Sequence, residues 1–275
     1  MRTVSFIART SLALSAAAFA AGSADAAIVV FDTFGAGAQT VTAAGSLLAA
    51  GSATNTSGVS ASIAATAGSR NQRTSKASGD TAQNVAGLTN AEKSARFAST
   101  VINTSTGTAS MSLGGRVSNA ASAVQYLASV GNYMDFTLYE GVQLDGAMTS
   151  SSGFGFASVV NLDVILIDAS GVTANYYFSA NDANGGFTGA DGLLSANFAD
   201  FIATNPLDPF WTGSIDLSQI ASFAVNFSYF DGSFGAASVA GSYQLGQISF
   251  NAVPAPGALA LLAVAGVVGL RRRRT

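Results

Sequence analysis

Carboxylates and aromatic rings are the side chains of this sequence that could do chemistry, because it contains neither His nor Cys. Their absence excludes His-based triads, cysteine nucleophiles, zinc fingers and disulfide scaffolds. Five carboxylates could supply the acid and base of a glycoside hydrolase, although no spacing singles out a pair: Asp135, Glu140, Asp145, Asp163 and Asp168. Turn caps and charged strand edges explain the same residues, so we assign no catalytic residue.

An oxygen-rich segment begins at Asp182 and Asn184 and is followed by Asp191. Carboxylate and amide oxygens are the ligands that calcium prefers. The segment lacks the acid pattern and closing Glu of an EF-hand, and an Asx turn in a loop is the alternative. Calcium is therefore the candidate metal ion, and no other cofactor is indicated.

Trp211, with Phe210 and Tyr229, could form a platform on which a sugar ring stacks. A Trp that anchors a loop or the core is the alternative. Residues 117–253 contain eleven acids and no Lys or Arg, which disfavours nucleic-acid binding. The same charge predicts a neutral polysaccharide as ligand rather than an anionic one, unless divalent cations bridge the carboxylates.

Alternating and apolar runs predict the strands that would position these residues. Positions 222–229 alternate, with Phe223, Val225, Phe227 and Tyr229 on one face, which predicts a strand with one side buried. Residues 159–167 predict a central strand, and a turn at 168–171 predicts a hairpin into 172–179. Residues 134–140 and 243–251 are predicted as further strands.

Many short strands, abundant turn residues and little helical pattern predict an all-β fold for residues 27–252. The expected architecture is an antiparallel two-sheet β-sandwich of the jelly-roll type. Within it, the polar segment 66–93 is expected to form a mobile loop.

Part of this region resembles the galactose-binding-like jelly rolls of carbohydrate-binding modules. The resemblance covers 195–251 and rests on the order of three motifs, Asn-Phe-Ala-Asp-Phe at 197–201, Asp-Leu-Ser-Gln-Ile at 216–220 and Gln-Ile-Ser-Phe at 247–250. It implies that the domain could bind sugars through surface aromatics and carry a structural calcium. No binding motif of that family is matched residue by residue.

Residues 1–26 read as a secretory signal peptide. Arg2 and Arg9 give a positively charged start, positions 11–21 form a short apolar stretch, and Ala24 and Ala26 precede the cleavage point at Ala27. The apolar stretch is much shorter than the roughly 20 residues of a spanning helix. We therefore expect export, with signal peptidase as the first processing partner.

Residues 253–275 combine a proline motif, an apolar segment and a basic end. Pro254 and Pro256 precede 257–270, which contains no polar side chain and is expected to form a short hydrophobic helix. The basic block follows as Arg271, Arg272, Arg273 and Arg274. A fourteen-residue helix rises about 21 Å against a hydrocarbon core of about 30 Å, which suits a transient membrane stop. By the positive-inside rule the arginines remain cytoplasmic and the preceding domain lies outside.

This order resembles the PEP-CTERM sorting signal of bacterial surface proteins. The family motif is usually Pro-Glu-Pro, whereas Ala255 stands between the two prolines here. The resemblance implies that an exosortase-type membrane protease removes the tail, and that the protein belongs with exopolysaccharide. A plain C-terminal anchor that is never cut is the alternative.

Together these features predict an exported, non-enzymatic protein of the cell surface or extracellular matrix, associated with exopolysaccharide and able to bind a neutral glycan. A secreted glycoside hydrolase with paired carboxylates is the alternative. A purely structural matrix protein without a small ligand is the third possibility.

Overall fold

The structure is a computed structural model that describes residues 27–44, 52–58, 72–79, 89–117, 119–152, 158–178, 180–181, 187–188, 192–208, 210–231 and 237–253. The signal segment 1–26, the tail 254–275 and the calcium candidates Asp182, Asn184 and Asp191 lie outside the described residues. Backbone contacts divide the chain into Val29–Phe250 and a unit of the two ends, Met1–Ile28 with Asn251–Thr275. Within the second unit, the Ala252 N–H donates to the Ala27 carbonyl at 2.8 Å.

Nearly all described secondary structure is β-strand. The strands are β1 (Ile28–Asp32), β2 (Gln39–Ala44), β3 (Ser52–Gly58), β4 (Gln72–Gly79), β5 (Phe97–Asn103), β6 (Thr108–Val117), β7 (Asn119–Leu127), β8 (Tyr139–Ser152), β9 (Ser158–Asp168), β10 (Thr173–Tyr177), β11 (Ala180–Asn181), β12 (Phe187–Thr188), β13 (Gly192–Asn197), β14 (Ile202–Thr204), β15 (Ile220–Asp231) and β16 (Ala237–Ala252). One short helix, α1 (Asn90–Ala95), and a 3₁₀ turn, Phe198–Asp200, complete the described elements.

The strands form two seven-stranded antiparallel sheets. Sheet one has the order β13-β8-β16-β6-β5-β2, with β1 also paired to β16, and sheet two has the order β14-β10-β9-β15-β7-β4-β3. A separate two-stranded ribbon pairs β11 with β12. The predicted fold class, an antiparallel two-sheet β-sandwich, is confirmed.

The core contains aromatic rings from both sheets. Phe31 of β1 packs edge to face on Tyr126 of β7 at 4.6 Å and on Phe250 of β16 at 5.2 Å between ring centroids. Phe223 of β15 contacts the same cluster. Such offset and edge-to-face pairs add to the stabilisation from burial alone. They join the two sheets near the point where β15 begins and β16 ends.

The predicted alternation of 222–229 is confirmed in β15, where Phe223, Val225, Phe227 and Tyr229 are all fully buried. The predicted central strand is β9, which lies between β10 and β15. The predicted hairpin joins β9 to β10. Gly171 supplies its left-handed conformation with φ of 88°.

The predicted strand at 134–140 is wrong. Met134 forms only an isolated bridge with Ile220, and β8 begins at Tyr139. The Asp135 carboxylate accepts hydrogen bonds from the N–H and the hydroxyl of Thr137 at 2.9 and 2.6 Å. This side-chain turn competes with extended structure and bends the chain.

The predicted loop at 66–93 contains regular structure and needs correction. Residues 72–79 form β4, which pairs with both β3 and β7. Helix α1 begins inside the same range, at a capping box between Thr89 and Glu92. A strand with so few apolar residues is fixed by its pairing partners rather than by its own hydrophobic pattern.

Among the described residues, no helix is long and apolar enough to cross a membrane. The predicted hydrophobic helix at 257–270 lies outside those residues.

Candidate functional site

Sheet two has an outer face, directed away from the core, on which polar side chains lie among small ones. In β9, Leu162, Val164 and Leu166 are fully buried in the core. Because side chains alternate across a strand, Asp163 and Ile165 lie on the opposite face. The outer face of sheet two is therefore built from alternate residues of its strands.

Cross-strand pairing brings residues of β7, β9 and β15 together on this face. Asn226 of β15 lies opposite both Asp163 of β9 and Ala123 of β7. Gln125 of β7 lies opposite Ala224 of β15. Directly opposite residues of antiparallel strands point to the same face, so these side chains are neighbours.

A groove of about 220 Å³ lies on the outer face where these three strands adjoin. The small alanine side chains of β7 and β15 form its floor, and longer side chains of the same strands and of β9 form its walls. The described residues that line it are Ala121, Ala123, Gln125, Ile165, Ile167, Ser222, Ala224 and Asn226. The groove thus presents methyl groups, a hydroxyl and two amides to a ligand.

Gln125 has one bonded and one unpartnered end in this groove. Its Nε2 donates to the Ser222 hydroxyl at 2.6 Å. Its Oε1 is shielded from solvent and has no hydrogen-bond partner within the protein. A buried polar atom without a partner costs on the order of 1–3 kcal/mol. Rotation of the Gln125 side chain toward the groove would expose Oε1, and a ligand that donates a hydrogen bond to it would then remove that cost.

Asn175 repeats the arrangement one strand beyond the groove. It belongs to β10 and lies opposite Ile165 of β9 and Ile202 of β14. Its Oδ1 is likewise shielded and without a hydrogen-bond partner. Asn175 and Gln125 therefore place two unpartnered acceptors on the same face of sheet two.

Asp163 is the carboxylic acid of this face, and it is only 3% exposed. The Asn226 Nδ2 donates to its Oδ1 at 3.0 Å. Burial raises the pKa of Asp163 to about 7, and the hydrogen bond from Asn226 offsets part of that rise. The Asp163 carboxyl therefore titrates near neutral pH rather than near pH 4.

An aromatic ring and an aliphatic side chain lie beside the polar groups, toward the edge of the sheet. Tyr177 of β10 lies opposite Asp163 and is 51% exposed. Ile202 of β14 lies opposite Asn175 and is also exposed. An accessible ring next to amide and carboxyl groups suits a ligand that has both hydroxyl groups and an apolar face.

The predicted platform of Trp211, Phe210 and Tyr229 does not exist as one surface. Phe210 is 90% exposed, in the connection between β14 and β15. Trp211 is half-buried with its indole packed over Gly213, where an added Cβ would collide with the ring. Tyr229 is fully buried in the core on the inner face of β15, so it is corrected to a packing residue.

The five candidate carboxylates do not converge. Glu140 and Asp145 belong to β8 in sheet one, whereas Asp163 belongs to sheet two. Asp135 and Asp168 accept hydrogen bonds inside turns. Within the described ranges, no group of three or more acidic side chains could hold a metal ion.

The sequence did not single out Gln125, Asn175 or Tyr177. Gln125 lies in an Ala-rich and Ser-rich run whose alternation is weak. Counting residues outward from the β9–β10 turn would have found Tyr177. The count pairs Tyr177 with Asp163 and so places both side chains on the same face of the sheet. The groove itself depends on the pairing of three strands that are distant in sequence.

No protein family model matches the chain, and no curated protein matches it. Solved structures resemble it at low identity. A family 11 carbohydrate-binding module of a cellulosomal cellulase of Clostridium thermocellum is 10% identical with a TM-score of 0.38, covering 82% of this chain and 95% of that one. The family 11 xylanase from Neocallimastix patriciarum is 9% identical with a TM-score of 0.34, covering 78% of this chain and all of its own.

These two structures are a binding module and an enzyme.

Proposed function

We propose that the chain is an exported, non-enzymatic protein whose outer face of sheet two binds a neutral polysaccharide. The observation that carries the proposal is the open groove itself, which is lined by alanine methyl groups, the Ser222 hydroxyl and the side-chain amides of Gln125 and Asn226. Sugar hydroxyl groups donate hydrogen bonds without bringing a charge. They also come with C–H faces that pack on the methyl groups and on an exposed ring such as Tyr177.

The charge of the chain favours a neutral ligand over an anionic one. Residues 117–253 supply β7, β9, β10 and β15 and contain no Lys or Arg. Asp163 carries part of a negative charge beside the groove. An anionic polymer would be repelled at low salt and would lack a guanidinium or ammonium partner on these four strands. The nearest base along the sheet is Lys76 of β4, whose Cα lies opposite that of Ala123.

The arrangement of carboxyl groups at the site supports binding of a glycan without its hydrolysis. Glycoside hydrolysis uses two carboxyl groups about 5 to 10 Å apart across the sugar. On the described outer face of sheet two, we find Asp163 without a second acid beside it. The hydrolase alternative would require release of reducing sugar from a polymer, and loss of that release in Asp163→Asn.

Phe210 and Trp211 remain a second candidate contact for sugar. Phe210 presents almost its whole ring to solvent, and Trp211 follows it directly. Among the described residues, the buried side-chain atoms without a hydrogen-bond partner belong to Gln125 and Asn175 rather than to this pair. We therefore place the primary site in the groove and keep the pair as a separate prediction.

Delivery to the cell surface is the other half of the proposal. Signal peptidase would release Ala27 as the new N-terminus, and the tail at 253–275 would hold the chain transiently in the membrane. An exosortase-type protease would then remove the tail and leave the domain with exopolysaccharide. N-terminal sequencing of exported protein should begin at Ala27, and a chain beginning at Met1 would contradict export.

Gln125→Leu tests the site directly. The substitution keeps the volume but removes the amide, so we expect glycan binding to fall about tenfold. Because the variant also removes the unpartnered acceptor, the free energy of unfolding should change by less than about 1 kcal/mol. Gln143→Leu is the matched control, since Gln143 is a half-exposed glutamine of β8 in sheet one.

A glycan array with neutral and anionic polymers identifies the ligand, and calorimetry measures the affinity of wild type, Gln125→Leu and Gln143→Leu. Equal affinity of all three proteins would contradict the groove. Tight calcium-independent binding of an anionic glycan would contradict the charge argument. Absence of binding to any polymer would favour the purely structural matrix role.

A further inference from the structure

One end of the sandwich, which we call the loop end, is formed by the loops 128–138 and 205–219. The two loops contact each other, since the Phe136 N–H donates to the Leu217 carbonyl at 2.7 Å. The second loop also contacts the turn after β9, because the Asp216 N–H donates to Asp168 Oδ2 at 3.1 Å. These bonds place both loops at the start of β15.

Large apolar side chains at the loop end are directed into solvent. Val130 is 92% exposed, Leu138 66%, Leu207 86% and Phe210 90%. Single exposed apolar residues are ordinary on protein surfaces. Four on two adjoining loops at one end indicate an interaction surface.

Local hydrogen bonds hold the tip of the longer loop in shape. Asn205 Oδ1 accepts from the Leu207 N–H at 2.9 Å, and Asp208 Oδ1 accepts from the Phe210 N–H at 3.0 Å. The Trp211 N–H donates to the Asp208 carbonyl at 3.1 Å. These turns fix the backbone so that Leu207 and Phe210 stay outside the core.

The chain leaves the sandwich at the same end. Phe250, near the end of β16, packs on Phe136 at 4.8 Å and on Tyr139 at 5.3 Å between ring centroids. The apolar segment 257–270 begins seven residues after Phe250. Seven extended residues span at most about 25 Å. That length is the greatest distance at which the chain can connect Phe250 to a bilayer that holds the segment.

Charge selects the kind of lipid. The loops 128–138 and 205–219 contain Asp135, Asp208 and Asp216 but neither Lys nor Arg. Anionic lipid would repel these carboxylates, whereas zwitterionic lipid would not. Leu, Phe and Trp side chains are well suited to the boundary between headgroups and acyl chains.

We propose that the loop end docks on a zwitterionic lipid surface through Leu207, Phe210 and Trp211 while the tail holds the chain in the membrane. This inference rests on the tail of the proposed function but not on the glycan groove. Docking would hold the sandwich at a fixed orientation during processing. The outer face of sheet two, on other residues, would remain open to polymer.

Trp211 is the natural probe, because it is the single Trp of the chain. The full chain is added to phosphatidylcholine vesicles with ordinary or brominated acyl chains, and Trp emission is recorded after flotation. We expect the brominated lipid to quench the emission about twofold, since bromine acts only at short range and Trp favours the interface. Replacing half of the lipid with phosphatidylglycerol should reduce the quenching.

The double variant Leu207→Ser and Phe210→Ser should lose the quenching while still floating with the vesicles through its tail. Leu193→Ser is the matched control, because Leu193 is an exposed leucine of β13 in sheet one. Equal emission in both lipids, or a chain that does not float, overturns the proposal. So does a wild-type chain that shows no lipid quenching while the double variant loses glycan binding, because that result would make the loop end a sugar-binding surface. Loss of glycan binding in Gln125→Leu alone leaves the docking result unaffected, so the two proposals fail separately.

Discussion

Asn226 donates a hydrogen bond of 3.0 Å to Asp163 across the β15–β9 pair, on a face where the carboxyl is almost completely shielded from water. Burial raises the pKa of Asp163 from 3.8 to about 7 despite that bond. The native state therefore retains a proton that the unfolded chain releases near pH 4. The consequence is a stability that falls as the pH rises between these two values.

We predict that Asp163→Asn is more stable than wild type at pH 8, and equally stable at pH 4 or below. The amide cannot ionise, and its oxygen can still accept from Asn226. A shift from 3.8 to about 7 corresponds to at most about 4 kcal/mol, so we expect a gain of about 1–4 kcal/mol at pH 8. Urea unfolding at pH 4 and pH 8 measures the difference.

Lys76 is the charged residue to control in that experiment. Its Cα lies opposite that of Ala123, which lies opposite Asn226, in the same cross-strand row as Asp163. The titration is therefore repeated in Lys76→Gln. The prediction is contradicted if Asp163→Asn raises the free energy of unfolding equally at pH 4 and pH 8, both with Lys76 and with Lys76→Gln. That result would show that the Asp163 carboxyl is charged at both pH values in the folded protein.

Asp168 should have the opposite pH dependence. Burial raises the pKa of Asp168, but hydrogen bonds from Ser170, Asp216 and Val172 outweigh it and lower the pKa below 3.8. Its contribution is therefore present above the unfolded value and lost as the pH falls through the folded one. Asp168→Asn should cost about 1–3 kcal/mol at pH 7, because an amide cannot accept from the Asp216 N–H and from the turn together.

Denaturant unfolding of Asp168→Asn at pH 7 and pH 3 tests this prediction. The difference from wild type should shrink at pH 3, because the unfolded carboxyl is then largely protonated and the contribution of the ionised folded carboxyl is partly lost. Asp145→Asn is a suitable control, because Asp145 is an exposed residue of β8. A cost that is the same at both pH values would indicate a steric effect of the amide instead.

Tyr177→Ala should weaken glycan binding about tenfold, because its half-exposed ring is the aromatic surface beside the groove. Tyr177→Phe should keep most of the affinity, since stacking depends on the ring. Calorimetry with the polymer identified on the array measures both. If Tyr177→Ala binds the glycan with wild-type affinity and Trp211→Ala loses binding, the sugar site is at the Phe210–Trp211 pair instead of the groove.

The sequence predicts the parts of this fold that are fixed by local burial. The alternation of 222–229 indicates β15, because apolar residues recur at every second position. The turn indicates the β9–β10 hairpin, because Asp168 and Gly171 suit its first and last positions. The same alternation places Tyr229 with Phe223 on the buried face, so its burial was implicit in the pattern. The bend after Met134 was not implicit in the pattern, because a single side chain causes it. The Asp135 carboxylate accepts hydrogen bonds from Thr137 and overrides the extended preference of the neighbouring residues.

The groove could not be predicted in the same way. Gln125 and Asn226 come from strands about a hundred residues apart, and only the register of β7 against β15 makes them neighbours. β4 was missed for a related reason, since its residues carry no apolar period and the strand is held between β3 and β7. Sites of this kind are determined by sheet order rather than by motif.

Replacement of Arg271, Arg272, Arg273 and Arg274 by Gln should impair removal of the tail. Positive charge after an apolar segment keeps that end in the cytoplasm, and the proposed protease requires the orientation that follows. Replacement of all four by Lys is the matched control, because it preserves the charge and should preserve processing. Mass spectrometry of surface protein should find wild-type and Lys chains ending before about residue 257, and Gln chains with the tail intact. An intact tail on the wild-type surface protein would instead identify 257–270 as a permanent anchor.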